Sequence, residues 1–175
     1  EYNKLKTAEQ HLTALIYEGE RQLEYLNSVL DETERAETED DLAEIKAELV
    51  GTGYIKKQRG AKERKRKKQG PMRFVSSDGF EILVGRSNAQ NDELTTKTAR
   101  RTDIWLHTKT VHGSHVIISC DGVAPPEKTI EEAAQLAVYY SQARDGGKTQ
   151  VDYTMVRNVR KPSGSLPGMV IYTDY

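Results

Sequence analysis

The first 30 residues repeat aliphatic side chains every seven residues, between positions that are mostly polar. Six of the eight a and d positions of this heptad are Leu or Ile, and Glu9 and Gly19 occupy the other two. The pattern predicts one amphipathic helix of about 30 residues with a coiled-coil-like seam. Because such a helix must bury its seam, we predict self-association through residues 5–30. The aliphatic seam positions are Leu5, Leu12, Ile16, Leu23, Leu26 and Leu30.

A second, shorter helix is predicted after Thr38, which is a suitable N-cap. The acidic residues 39–41 would fill its first turn, where the helix dipole favours anions. The Gly-Thr-Gly sequence at 51–53 would end the helix. Its apolar stripe consists of Leu42, Ile45 and Leu49.

From residue 74 onward the apolar runs become shorter and alternate with turn residues. Asp78-Gly79 is a turn sequence that lies between the apolar pair Phe74-Val75 and the apolar run 80–84. This arrangement predicts a β-hairpin. Asn88 is the predicted cap of a helix that runs to about Arg100. Further strands are predicted at residues 103–107, 115–120, 151–159 and 169–172.

Another helix is predicted from a cap at Thr129, with an apolar stripe that faces a core. The mixture of strands and helices predicts an α+β module of about 100 residues. The chain therefore divides into a helical arm (1–55), a basic linker (56–73) and a mixed module (74–175). The residues predicted to pack in the core of the module include Ala133, Leu136, Ala137, Tyr139, Tyr140 and Tyr153.

The formal net charge of -1 conceals a strong segregation of charge along the chain. Residues 1–55 carry a net charge of -9, residues 56–73 carry +9, and residues 74–175 carry -1. Cys120 is the only cysteine, so an intrachain disulfide is excluded and a reducing compartment is indicated. No apolar run approaches the roughly 20 residues that span a bilayer, and no signal-peptide pattern occurs. Because the chain begins at Glu1, we expect it to be a fragment of a longer protein.

The segment 56–73 is too basic and too poor in apolar residues to form a core. One interpretation is a solubilising hinge, and the one we favour is an arm that binds RNA phosphates with strong salt dependence. A membrane-surface role is disfavoured because no hydrophobic anchor accompanies the charge. The candidate phosphate-binding residues are Lys56, Lys57, Arg59, Lys62, Arg64, Lys65, Arg66, Lys67 and Lys68.

The stretch 102–118 holds the only tryptophan and three of the four histidines, in a polar loop between two apolar runs. Trp105 is predicted to be a core residue, with base stacking as the alternative. Asp103 is predicted to order a neighbouring loop by accepting backbone N–H groups, and Gly113 to permit a tight turn. His107, His112 and His115 are candidates either for RNA contacts or for loop scaffolding.

Three catalytic or metal-binding interpretations of these residues are disfavoured. Zinc would need a second cysteine or a tighter histidine spacing beside Cys120. Ser114, His115 and Asp103 lack the Gly-x-Ser-x-Gly elbow of a hydrolase, and no P-loop follows Gly85. We therefore predict no enzyme activity, no cofactor and no metal.

A binding surface fits the polar residues of the module better, since cations and amides can contact phosphates, sugars and base edges. A first cluster lies on one predicted helix and the loop before it, and a second basic patch follows the strand at 151–159. The candidate RNA-binding residues are Arg86, Asn88, Gln90, Asn91, Lys97, Arg100, Arg101, His107, His112, Ser114, His115, Arg157 and Lys161.

The segments Asp103–His107 and Gly113–Val116 together resemble the signature of the NFACT-R domain. This domain is the C-terminal RNA-binding module of the RqcH / fibronectin-binding protein A family, whose eukaryotic relative is NEMF. The resemblance covers residues 73–175 almost continuously, and residues 1–30 resemble the returning arm of the family's two-helix coiled coil. The other matching segments are 78–79, 84–88, 90–95, 97–99, 151–153, 161–162 and 167–170.

The resemblance implies a parent protein that binds obstructed large ribosomal subunits and recruits tRNA. In that family, a C-terminal tail (alanine in bacteria) is then added to the stalled nascent chain. The implied partners are tRNA and the large ribosomal subunit, and the implied location is cytoplasmic and ribosome-associated.

Two other functions remain open from the sequence. Many bacterial members are named as fibronectin-binding adhesins of the cell surface, although no residue pattern here forms a fibronectin-binding repeat. The chain could instead serve as a coiled-coil dimerisation domain with an attached scaffold.

Overall fold

The computed structural model describes residues 2–57 and 69–175, which form two helices followed by a mixed module. The predicted α+β class is confirmed. Within the described ranges, no helix combines the length and the apolarity needed to cross a membrane. The elements are α1 (Tyr2–Arg35), α2 (Glu39–Gly51), β1 (Met72–Val75), β2 (Glu81–Val84), α3 (Asn88–Glu93), a π-helical turn (Leu94–Thr98), β3 (Ile104–Thr108), β4 (Val116–Ile118), α4 (Glu127–Tyr139), β5 (Val151–Met155), a 3-10 turn (Val156–Asn158), β6 (Val159–Arg160) and β7 (Ile171–Tyr172).

Helix α1 confirms the predicted amphipathic helix and extends it to 34 residues. All six seam residues remain at least 38% exposed, so the described part of the chain leaves the seam largely uncovered. The buried side of α1 instead carries Tyr25 and Val29, which pack with Ile45 of α2. The contact between the two helices is therefore made beside the seam, and a long coiled coil is not confirmed.

Helix α2 begins as predicted, because Thr38 and Asp41 form a reciprocal capping box. The Asp41 N–H donates to the Thr38 hydroxyl over 3.1 Å, and the Thr38 N–H donates to the Asp41 carboxylate over 3.0 Å. The helix ends at Gly51, and Gly53 adopts a positive φ of 86° after it. The capping pattern was thus sufficient to locate both ends of this helix.

The module is built on a five-stranded antiparallel sheet of order β1-β2-β4-β3-β5. One face packs against α4 through buried residues that include Leu106 and Ala133. The opposite face holds Leu83, Trp105 and Ile117, which pack with the 3-10 turn and the β6–β7 ribbon. The first two strands form the predicted hairpin around Asp78-Gly79, and Trp105 is fully buried as predicted.

The helix predicted from a cap at Asn88 to about Arg100 is present as a helical segment that ends at Thr98, but its cap and the type of its second half differ from the prediction. Ser87 is the cap, since its hydroxyl accepts the Gln90 N–H over 3.2 Å, and Asn88 is the first helical residue. The α-helix stops at Glu93 and continues only as the π-helical turn. Ser and Asn are comparable caps, and the chain offers both in succession.

The predicted cap of α4 is also wrong, because Thr129 lies inside the helix, which begins after Pro126. Thr129 is fully buried, and its hydroxyl contacts Ser76 Oγ at 3.0 Å and Asp78 Oδ2 at 2.9 Å. It therefore joins α4 to the hairpin turn.

The predicted strand 151–159 is interrupted by the 3-10 turn, which separates β5 from β6. Two residues predicted to lie in the core are exposed: Tyr139 by 44% and Tyr153 by 48%. Tyr139 is the last residue of α4, and Tyr153 lies on β5, the edge strand of the sheet, so each ring extends past the core.

Candidate nucleic-acid interface

Asp103 organises the corner of the module where the π-helical turn meets the sheet. Its buried carboxylate accepts the Arg100 N–H over 2.7 Å and the Cys120 N–H over 2.9 Å. Its carbonyl oxygen accepts the Val156 N–H over 2.9 Å. Asp103 therefore orders the loop before β3, as predicted, and ties that loop to the 3-10 turn.

Four exposed cations lie on the segments that Asp103 joins. The Arg157 N–H donates to the carbonyl of Arg101 over 3.2 Å, so the two predicted basic patches meet at this point. Arg100 forms an exposed ion pair with Asp121. We call this surface the basic corner and define it as Lys97, Arg100, Arg101 and Arg157.

The three predicted amide contacts are buried, so they do not face a ligand in this structure. Asn88 donates from Nδ2 to the Ser28 hydroxyl of α1 over 2.8 Å. Asn91 accepts the His115 N–H over 3.0 Å, and Gln90 accepts the N–H of the residue four positions earlier. These amides join α3 to its surroundings, which corrects their predicted role as RNA contacts.

Two predicted cations are also engaged inside the protein. Arg86 lies 3.4 Å from the Asp41 carboxylate of the helical pair, and Lys161 pairs with Asp92. The same Asp92 carboxylate accepts the Gly168 N–H over 3.0 Å. Arg86 and Lys161 therefore hold segments of the chain together. Lys56 and Lys57 are exposed, whereas the other candidates of the basic segment, which span 59–68, lie outside the described residues.

The histidines divide between scaffold and surface. His115 and Ser114 are each 2% exposed, and His115 Nδ1 lies 2.8 Å from the Thr95 hydroxyl. Burial, and next the neighbouring His107, place the pKa of His115 well below its usual value, so its ring is neutral. His107 and His112 are half-buried, so of the three predicted histidines these two keep some exposed surface.

The helical pair docks onto the start of α3 through buried carboxylates, a contact that the sequence does not indicate. Glu48 accepts the Ala89 N–H over 2.8 Å and the Tyr25 hydroxyl over 2.7 Å. Glu32 of α1 is 4% exposed beside the same helix end. Burial raises the pKa of both carboxyls, and for Glu32 the nearby Glu48 adds to the rise.

This docking contact predicts a pH-dependent stability. The folded pKa of Glu48 exceeds the unfolded value, so its contribution is complete below about pH 4.5 and is lost as the pH rises through the folded pKa. Glu48→Gln retains an oxygen that accepts the Ala89 N–H but does not ionise. We expect its free energy of unfolding, relative to the wild type, to increase between about pH 5 and about pH 7.5.

Urea denaturation at the two pH values measures this difference. The matched control is Glu131→Gln on the exposed side of α4, which removes a carboxylate away from the docking contact and should leave the free energy of unfolding nearly unchanged. A Glu48→Gln curve parallel to the wild-type curve would show that this carboxyl is not held in a buried contact.

No group of three or more His, Cys, Asp and Glu side chains within residues 2–57 and 69–175 has the geometry of a metal site. Cys120 is buried, and burial raises the pKa of its thiol.

The sequence model described as the NFACT protein RNA binding domain matches residues 71–172, which is more than half of the chain. The chain belongs to the NFACT protein family. A second model, the NFACT N-terminal and middle domains, matches residues 1–69. The basic corner, Asp103 and Trp105 all lie within the first of these matches.

Relatives of this NFACT chain include bacterial and animal proteins. RqcH of Streptococcus suis is 43% identical over 98% of this chain. The chain spans only about 30% of the length of that relative. The ribosome quality control complex subunit NEMF homolog of Drosophila melanogaster is 36% identical over 41% of this chain and 7% of the relative. The solved C-terminal part of the fibronectin/fibrinogen-binding protein of Streptococcus suis superposes with a TM-score of 0.92 and 41% identity, over 99% of this chain and 68% of that chain.

Proposed function

We propose that this chain is the RNA-binding module of a ribosome-associated quality-control factor. The observation that carries the proposal is the match of residues 71–172 to the NFACT RNA binding domain. The similarity to RqcH and to a NEMF homolog supports the link to ribosome quality control. The proposal assigns no catalytic step, cofactor or metal to the chain.

The basic corner is the proposed contact with RNA phosphates. Its cations are exposed and come from two segments that a backbone hydrogen bond joins, so one phosphate run can contact both. The basic segment 56–73 directly precedes the module and would add sequence-tolerant, salt-dependent affinity.

For the parent protein we propose binding of obstructed large ribosomal subunits in the cytoplasm and recruitment of tRNA for tailing of the stalled chain. The present chain is expected to bind RNA but not to support tailing by itself. Sedimentation with purified large subunits through a sucrose cushion tests the ribosome contact. We expect the chain to pellet with the subunits at low salt and to be released at high salt. A chain that stays in the supernatant at every salt concentration would contradict the proposal.

A second candidate function is fibronectin binding at the cell surface. The structure that superposes on 99% of this chain is named for fibronectin and fibrinogen binding, and this name is the observation that favours it. Binding of immobilised fibronectin, with RNA added as a competitor, separates the two functions. Competition would place both ligands on one basic surface, whereas binding without competition would indicate a separate site.

Self-association of the chain through α1 is a further expectation. The exposed seam needs a packed partner in water, and a second copy supplies one. We expect light scattering to give a mass above that of the 19.8 kDa monomer at high concentration. Leu12→Glu together with Ile16→Glu should restore the monomer, while Thr7→Glu with Thr13→Glu, off the seam, should not. A wild-type chain that is monomeric at all concentrations would contradict this expectation.

A further inference from the structure

The strand β5 is one edge of the five-stranded sheet and pairs with β3 on one side only. At the end of this pairing the Val156 N–H donates to the carbonyl of Asp103 over 2.9 Å. The direction of the hydrogen bonds alternates along an antiparallel strand, so the N–H and C=O groups of Val151 and Tyr153 point away from β3. In the part of the chain that the structure describes, no backbone group bonds to them.

The two edges of the sheet differ in how they are protected from pairing with another chain. The opposite edge, β1, directly follows Pro71 and carries the exposed charge of Arg73. Proline and exposed charges are common devices that prevent edge strands from pairing. The β5 sequence Val-Asp-Tyr-Thr-Met has no Pro, Gly or Lys, and its Asp152 is buried, where it accepts the Tyr172 hydroxyl over 2.9 Å. The β5 edge is therefore open to a further strand.

The side chains of β5 on the α4 side form an exposed apolar strip. Tyr153 is 48% exposed and Met155 is 37% exposed, and Val151 lies on the same face. A groove of about 650 Å³ runs beside this strip, with Val151 on one wall and Ala134 and Val138 of α4 on the other. Sites that bind an added strand combine a free sheet edge with pockets for alternate side chains. The β5 edge has both features.

The charges around the strip favour a peptide over RNA as the ligand of this edge. Arg144 and Glu131 both line the groove, so it offers no net positive charge to a chain of phosphates. The basic corner begins just beyond the strand, since Arg157 lies two residues after Met155. A peptide backbone is uncharged, and its acidic residues can be confined to the end that reaches the corner. In an antiparallel pairing that end precedes the added strand.

We propose that the β5 edge binds an extended segment of a partner protein, in which acidic residues precede a short strand with apolar side chains at alternate positions. The segment pairs antiparallel with β5, as all neighbouring strands of the sheet do, and places its apolar side chains in the groove beside α4. This inference adds a protein-binding edge to the module and does not rest on the proposed binding of RNA.

The probe is a fluorescein-labelled synthetic peptide with four acidic residues followed by six residues that alternate Val and Thr. Residues directly opposite each other in an antiparallel pair share a face of the sheet, so the Val residues that enter the groove lie opposite the outward-bonding residues of β5. Their N–H groups then point towards β5, and those of the Thr residues point away. We expect N-methylation of the three Val residues to abolish the rise in fluorescence anisotropy, and N-methylation of the three Thr residues to preserve it.

Amide hydrogen exchange, followed by ¹⁵N–¹H spectra, reports the same pairing from the side of the protein. In the free chain we expect fast exchange at Val151 and Tyr153 and slow exchange at Asp152 and Thr154, because only the second pair bonds to β3. A saturating amount of the probe should slow exchange at Val151 and Tyr153.

A pair of variants at Tyr153 tests the edge itself. Tyr153→Pro removes an outward donor without removing a bond to β3, and should weaken binding of the probe at least about tenfold. Tyr153→Ala keeps that donor and should bind the probe more tightly than the Pro variant. Thermal melting of both variants controls for folding, and the N-methylated peptides test the pairing in the unaltered chain.

Three outcomes would overturn the inference. The first is a probe that binds no better than a peptide of the same composition in scrambled order. The second is equal binding of the two N-methylated peptides, or binding that leaves exchange at Val151 and Tyr153 fast. The third is a Tyr153→Pro variant that loses affinity for tRNA but not for the probe, which would assign this edge to RNA. We expect the variant to bind tRNA as the wild type does.

Discussion

Replacing Trp105 with Ala is expected to lower the free energy of unfolding by about 3–5 kcal/mol. Trp105 is fully buried on β3, and its ring packs 4.7 Å from the Tyr172 ring and meets the edge of His115 at 5.3 Å. Truncation removes the largest side chain of this face of the sheet, and the flanking strands β4 and β5 prevent the sheet from closing over the void. Urea denaturation followed by far-UV circular dichroism measures the loss.

The matched control is Tyr153→Ala on the neighbouring strand. Tyr153 is 48% exposed, so we expect its loss to cost less than about 1 kcal/mol. Equal losses for the two variants would show that Trp105 does not occupy the core in solution.

Neutralising the basic corner is expected to weaken RNA binding by about a hundredfold at low salt. The variant replaces Lys97, Arg100, Arg101 and Arg157 with Gln. If each cation contacts one phosphate, the slope of log affinity against log salt should become shallower by about three. The exposed positions of the four side chains predict an unchanged melting temperature, which separates a binding defect from a folding defect.

A control variant removes the same charge from other surfaces. It replaces four exposed lysines with Gln, two near the start of α1, one on α2 and one on α4: Lys4, Lys6, Lys46 and Lys128. We expect a much smaller loss of affinity for RNA and a nearly unchanged salt slope. This control lowers the net charge as much as the first variant does but leaves the cations of the basic corner in place. Equal effects of the two variants would mean that the corner is not a specific contact.

Local signals were enough to predict much of this fold. Thr38 was recognisable as a cap because the acidic turn and the apolar stripe follow it directly, and the structure has that capping box. Trp105 was assigned to the core because an aromatic residue in an apolar run is seldom exposed. The roles of Thr38, Trp105 and Asp103 depend on residue type and on residues nearby in the sequence. Such roles can be predicted from the sequence alone.

The amide side chains that were predicted to bind RNA are buried by contacts between segments that are distant in the sequence. Asn88 and Gln90 were predicted to lie on the surface of a helix, but α1 and α2 cover that helix. Glu48, which holds this contact, stands among other acidic residues, and no local pattern distinguishes it. A contact between residues that are 40 or more positions apart leaves no local pattern, so one sequence alone does not predict it.

The basic corner shows the same limit. Arg101 and Arg157 were predicted as members of two separate patches. The antiparallel pairing of β3 with β5 and the 3-10 turn bring their backbones into hydrogen-bond contact. The residue types were sufficient to nominate them, but only the strand order shows that they form one surface.

The central claim is that this chain binds RNA, and fluorescence anisotropy with labelled tRNA tests it most directly. The titration is repeated at several salt concentrations from about 50 to about 300 mM. The account predicts micromolar or tighter binding at the lowest salt and a steep fall in affinity as salt increases. Absence of binding at the lowest salt would contradict it, and the module would then be a protein-docking scaffold for which fibronectin is the next ligand to test.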